Sequence, residues 1–113
     1  MLVRSVLYLQ PRPGCRQALI DTFERIDVLG HAVKHEDCLS VEMLAPEDQG
    51  APLAVIALWT GREGIQRWID DPWRVEASRE LDPLIEELPD RAVYDIVLAT
   101  PSMASIRGEE ATT

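Results

Sequence analysis

The sequence predicts an α+β domain built on one antiparallel sheet, with its elements in the order βαββαβ. Three observations carry that expectation. Short segments rich in Val, Ile, Leu and Tyr are separated by longer stretches whose apolar residues recur at three- and four-residue steps, and Pro, Gly and Asp supply turn signals between them. At 113 residues, with 46% hydrophobic and 27% charged residues, the chain holds enough apolar material for one core and too little length for two. The expected division is a single domain over 1–100, followed by a small, polar C-terminal tail over 101–113.

Leu2 to Gln10 reads as the first strand, stopped by Pro11-Arg12-Pro13-Gly14. Cys15, Leu19, Thr22, Phe23, Ile26, Leu29 and Val33 then form the stripe of one helix buried along one side. Leu39, Val41, Met43 and Ala45 alternate with Ser40, Glu42 and Leu44 in a second strand. The loop Pro46 to Gly50 leads into a third, Leu53 to Trp59, whose unbroken apolar run requires cover on both faces. Ile65, Trp68 and Ile69 place a helix within Gly61 to Asp70, and Asp71-Pro72 supplies the cap and first residue of the next. Ala77, Leu81, Leu84 and Leu88 continue that helix's stripe, with Pro83 kinking or restarting it. Ala92 to Ala99 is the fourth strand, ended by Pro101. This order is that of the ferredoxin-like unit, in which helices cover one face of a four-stranded antiparallel sheet.

The second face of that sheet needs an occupant. Val3, Leu7 and Leu9 alternate with Val6 and Tyr8, and Val93 and Val97 alternate with Tyr94, Ile96 and Leu98, so both parities are apolar while the helices reach only one. At about 25 cal/mol per Å², several hundred Å² of open apolar surface is expensive. No segment is left over to cover it, and the expected cover is the same face of a second copy, giving a homodimer. Two sheets placed face to face enclose a space, which is the pocket expected at this point.

Eleven Lys and Arg against 20 Asp and Glu give a formal charge of −9, which repels polyanions, so nucleic acid is not an expected partner. The longest apolar run, Ala54 to Trp59, is far below the roughly 20 residues of a membrane span. Met1 to Ser5 has no basic region ahead of an apolar core, so no signal peptide is read and a cytoplasmic location is expected. Cys15 and Cys38 are too far apart for a zinc module and read as free structural thiols. His31 and His35 have the spacing of two metal ligands on a helix, but no third ligand is in pattern, and they read as solvent-facing.

Glu36-Asp37-Cys38-Leu39-Ser40-Val41-Glu42, Val55 to Ile65 and Asp71-Pro72-Trp73-Arg74 resemble the antibiotic biosynthesis monooxygenase family, over roughly residues 1 to 100. The resemblance implies a dimeric α/β barrel with one pocket per subunit. In the better-known members it implies oxidation of anthrones or quinols to quinones with molecular oxygen, without metal or bound cofactor, although a flavin supplied in trans is compatible with it. Other members of the superfamily cyclise polyketides or have no known activity, so a cyclase and a non-catalytic protein that binds aromatic ligands are the alternatives. Two departures stand out. Asp37 occupies a position where the family often has Gly, and the helix after Trp59 offers Trp68 or Ile69 where the family often has His, which disfavours the haem-degrading branch.

Oxidising a small aromatic substrate requires a dry flat pocket, a proton acceptor and donors that stabilise an anion. Trp59, Trp68, Trp73 and Tyr8 are the candidate walls, since aromatic faces stack on rings and their polar edges can bind. The same aromatics also fit ordinary core positions. Arg4, Glu42 and Asp95 are charges set within otherwise apolar strands. They pair with one another, face solvent or line the pocket, where Arg4 stabilises a phenolate and Asp95 or Glu42 serves as base.

Overall fold

The structure is a computed structural model that describes residues 1–101. The expected tail therefore lies, after Pro101, outside the described residues. Strand β1 (Val3–Leu9) leads to helices α1 (Arg16–Arg25) and α2 (Val28–Val33). The β2 (Cys38–Leu44) and β3 (Leu53–Trp59) hairpin follows, then α3 (Arg62–Ile69) and α4 (Pro72–Leu81), a 3-10 turn over Asp82–Leu84, and β4 (Asp90–Asp95). The strands form one sheet in the order β2-β3-β1-β4, with every neighbouring pair antiparallel. This is the expected ferredoxin-like α+β arrangement.

The register assigns each residue to a face. One face carries the cross-strand rows Cys38, Trp59, Val3 and Asp95; then Val41, Ala57, Ser5 and Val93; then Met43, Val55, Leu7 and Arg91; and finally Leu53 with Leu9. The helices lie against it, and Leu19 and Phe23 of α1, Val28 and Ala32 of α2, and Ile65 and Trp68 of α3 bury with Val3, Leu9, Leu53 and Trp59 in a common core. The outer face carries Ser40, Leu58, Arg4 and Tyr94; then Glu42, Ile56, Val6 and Ala92; then Leu44, Ala54, Tyr8 and Asp90. No helix of the described residues covers these rows, and Tyr8, Leu44 and Tyr94 stand exposed among them.

Three expectations are corrected. The single first helix is two, because Asp27 takes a left-handed backbone (φ 56°) and its side chain accepts a hydrogen bond from the Gly30 amide at 3.1 Å, capping a new helix. The apolar stripe runs on across the break, so periodicity alone conceals it. The stripe of α4 stops at Leu84 in the 3-10 turn, leaving Leu88 fully exposed. The fourth strand begins two residues earlier than Ala92 and ends at Asp95. It pairs only with β1, and its last backbone contact is Ile96 N–H to Leu2 O at 3.1 Å, beyond which its partner strand has run out. Val97 and Leu98, expected within the strand, are exposed.

Asp37, the residue that departs from the family pattern, fastens the sheet to α3. Its carboxylate accepts hydrogen bonds from Thr60 Oγ1 at 2.9 Å and from Arg67 at 2.6 Å, and its carbonyl accepts from Thr60 N–H at 2.9 Å. The helix can come this close because position 64 is glycine. A Cβ there would stand 2.5 Å from Asp37 Cβ and 3.2 Å from the Trp59 ring, closer than packed carbons tolerate. Gly64→Ala is expected to destabilise the fold by about 1–3 kcal/mol despite alanine's better helix propensity. A lowered urea midpoint with an unchanged m value checks this, and an unchanged or raised midpoint contradicts the packing described.

Candidate functional site

Between the helix layer and the inner face of the sheet lies an apolar cavity of about 100 Å³. Its floor includes Leu7 and Val55, Phe23 enters from α1, and Trp68 and Trp73 close it from α3 and α4, with Arg74 the cation in its wall. Ile85, Pro89 and Asp82 lie along one rim. The cavity is within the subunit, on the helix side, and not on the outer face where the sequence placed a pocket. The cause is geometric: helices resting on a twisted sheet leave a gap that side chains must fill, and here Leu81 is the one residue α4 buries.

Four rings hold the cavity's aromatic wall. His31 stacks on Trp73 with centroids 3.6 Å apart and planes within 5°, Trp73 lies 6.2 Å from Trp68, and His35 meets Trp68 edge-on at 5.6 Å. The histidines are therefore packed against α3 and α4, which corrects their reading as solvent-facing. Asp71 links the layer to the backbone: its Oδ2 lies 2.6 Å from His35 Nε2, and its Oδ1 accepts from Trp73 N–H at 2.8 Å as the cap of α4. The His35 hydrogen bond, then the Trp73 amide, hold the Asp71 carboxyl below its ordinary value.

The structure distributes the sequence-derived candidates over four places. Trp68 and Trp73 share the cavity. Trp59 is 1% exposed, is absent from the cavity wall, and donates its indole N–H to Ser5 Oγ at 2.9 Å. It satisfies the one polar side chain buried among the strands and belongs to the core. Tyr8, Arg4 and Glu42 lie on the outer face, with Glu42 and Arg4 on different cross-strand rows and β3 between them. Asp95 sits at the β4 edge, where its Oδ1 pairs with Arg62 at 2.9 Å, both partners well exposed. The three charges thus form no common cluster, and none lines the cavity.

Sequence reasoning missed Arg74 and Arg91. Arg74 follows directly on Trp73 and shares its cavity. Arg91 stands opposite Leu7 on the inner face, but the strand was expected to begin at Ala92, so it escaped the search for charges among strand residues. Burial, partly offset by Asp82, draws the Arg74 guanidinium below its ordinary value, and burial followed by the nearby charge of Arg74 does the same to Arg91. Guanidinium is basic enough that both remain cations at neutral pH. Cys38 offers no nucleophile: burial pushes its thiol up to about 11, and it donates weakly to Ser40 O.

Two outcomes are expected from this geometry. Because the folded Asp71 carboxyl titrates below its unfolded value of about 3.9, its contribution is present at neutral pH and lost as pH falls through the folded value. The urea midpoints of wild type and Asp71→Asn should therefore differ at pH 7 and converge as the pH falls below the folded value, and a gap that stays constant would reject the linkage. Trp59→Phe should cost about 1–3 kcal/mol by leaving Ser5 Oγ unpaired, with ligand binding per folded molecule retained. Thermal melts run beside binding titrations separate the two effects.

No protein-family model matches the sequence, and no curated protein matches it. Solved structures do. A mutant form of SnoaB, a cofactor-independent oxygenase from Streptomyces nogalater, superposes with a TM-score of 0.74 at 15% identity, covering 89% of this chain and 98% of that one. Rv0793 from Mycobacterium tuberculosis gives 0.74 at 16% identity, covering 88% and 98%. A protein from Caulobacter crescentus, described as a candidate antibiotic biosynthesis monooxygenase, gives 0.72 at 16% identity, covering 86% and 91%. The chain has the fold of antibiotic biosynthesis monooxygenase structures along nearly its whole described length.

Proposed function

We propose that this protein is a small monooxygenase that oxidises an anthrone- or quinol-type aromatic substrate, polyketide-derived in the family it resembles, using molecular oxygen and neither metal nor bound cofactor. The observation that carries this reading is the apolar cavity with Trp68 and Trp73 in its wall and Arg74 beside them, in a fold shared with a cofactor-independent oxygenase. For an anthrone, deprotonation yields an anion that passes one electron to oxygen, and recombination of the radical with the superoxide so formed gives, after protonation, a hydroperoxide on the ring carbon. Loss of water then leaves the quinone, so the two oxygen atoms end in product and in water, and the two hydrogens leave the substrate carbon. The protein's part is to exclude bulk water, hold the ring flat and favour its anion.

At about 100 Å³ the cavity has room for one ring, well under the roughly 300 Å³ of a full ligand site. A polycyclic substrate enters if α4 moves outward, and that helix is the wall least anchored by burial. The outer face, with Val6, Tyr8, Ile56 and Tyr94 across three strands, is the surface through which two copies pair as a homodimer. No helix among the described residues is long and apolar enough to cross a membrane, and the reading carries a cytoplasmic enzyme.

Oxygen uptake with a simple anthrone or dihydroquinone tests the chemistry. The expected result is uptake above the uncatalysed rate, insensitive to chelator and reduced roughly tenfold in kcat/KM by Trp73→Leu. Activity abolished by chelator and restored by iron would reject the cofactor-free route. One observation favours a second reading, a binding protein without chemistry: the single carboxylate at the cavity rim is the exposed Asp82, with no histidine in the wall. Saturable binding of the anthrone with no oxygen uptake would select it. Light scattering at micromolar concentration should report a dimer, and a stable monomer would sink the pairing of outer faces.

A further inference from the structure

In this acidic chain nearly every exposed guanidinium on the helices has found a carboxylate. Arg25 meets Glu80, Arg62 meets Asp95, Arg67 meets Asp37 and Arg79 meets Glu76. Arg74 and Arg91, both half-buried, share with Arg4 and Arg16 the lack of a carboxylate within 4.0 Å among the described residues, and differ from them in lying in the cavity region. A partly dry cation with no carboxylate in contact is costly, and a second cation near enough for its charge to be felt adds to the cost. Both also belong to the cavity region. Arg74 lines it, while Arg91 stands on the same sheet face, opposite the cavity-lining Leu7 and two residues beyond the cavity-lining Pro89.

We infer that Arg74 and Arg91 are an anion-binding pair at the cavity's edge, and that the ligand is an aromatic carboxylate whose ring lies in the cavity against the wall that Trp68 and Trp73 form. The inference rests on the cavity being the ligand site and adds the ligand's charge. The response of the two guanidiniums to burial, and of Arg91 to Arg74, is that of like charges sharing one poorly solvated region. Two cations offset by the exposed Asp82 leave one net positive charge, which matches a monoanion better than a phosphate dianion. Guanidinium forks also match the plane and spacing of a carboxylate's two oxygens. The chain's overall charge of −9 opposes approach from a distance, so selectivity for an anion has to come from these two contacts at short range.

Paired ligands that differ only in charge test this. Wild-type protein is titrated at low salt with 4-ethylbenzoate and with 4-ethylbenzamide, following amide chemical shifts by NMR. The carboxylate is expected to bind roughly tenfold more tightly than the amide, with shifts centred on Trp68, Trp73 and Arg74. In Arg74→Gln and in Arg91→Gln the preference should fall toward unity, the carboxylate losing more affinity than the amide. Equal affinity for both ligands in the wild type overturns the anion site and leaves the cavity standing. Failure of both ligands to perturb the cavity overturns the cavity reading itself, and the inference with it. A carboxylate preference that survives both substitutions places the anion elsewhere and overturns the assignment. The wild-type comparison holds even if one variant fails to fold.

Discussion

A four-stranded sheet presents two faces, and this chain has helices for one of them; most of what the structure does follows from how that asymmetry is resolved. On the inner face Val3, Leu9, Leu53 and Trp59 are almost completely removed from water by the helix layer. On the outer face Val6 and Leu58 are also buried, while Tyr8, Leu44 and Tyr94 stay open. Strand parity therefore divides the molecule into a side that can enclose something and a side that can only meet something. Arg4 and Glu42 lie on the second kind of surface, so in one subunit they have no cavity to serve. A charge in an apolar strand is a candidate for chemistry only once its face is known.

The inner face is closed unevenly. Helix α3 is pressed onto the hairpin through Gly64 and tied by Asp37, Thr60 and Arg67, a contact with no slack for a methyl group. Helix α4 has Leu81 as its one buried residue and is held at its start by the Asp71 cap and at its end by the 3-10 turn. The cavity opens where the loosely held helix meets the sheet, and Trp68 and Trp73 stand side by side in its wall. Their orientation is set from outside the cavity by His31 and His35 of the α2 region. Four rings in contact, two pairs stacked and one edge-on, fix the wall at little entropic cost, since each ring has few torsions to lose.

Much of this architecture was legible because its causes are local. The alternation in β2, the apolar run of β3 and the Asp71-Pro72 cap each announce themselves within a few residues, and each of these elements lies within about two residues of its expected position. What was not legible depends on partners distant in sequence. The end of β4 is set by where β1 begins, and the split of the first helix by one aspartate's left-handed backbone, which leaves the apolar period undisturbed. Trp59 illustrates the same limit in the site. Position at a strand end and resemblance to a family made it a wall candidate, whereas its hydrogen bond to Ser5, 54 residues away, makes it core.

The charges give the most instructive case, because burial and partner decide a residue's role and neither is written in the residue itself. Asp95 looked anomalous in its strand, but Arg62 neutralises it at an exposed edge, where such a pair contributes little. Arg91 raised no suspicion beside Asp90, yet the ladder turns the two to opposite faces, Asp90 outward next to Tyr8 and Arg91 inward next to Leu7. Adjacent opposite charges are thus separated by the pleat, and the cation is left in the drier environment without its neighbour's help. Arg74 reaches the same region from α4, so two separate elements deliver like charge to one rim of an apolar cavity. A fold selected only for stability would have been better served by apolar residues at both positions. The arrangement makes physical sense when the missing counter-charge arrives with a ligand.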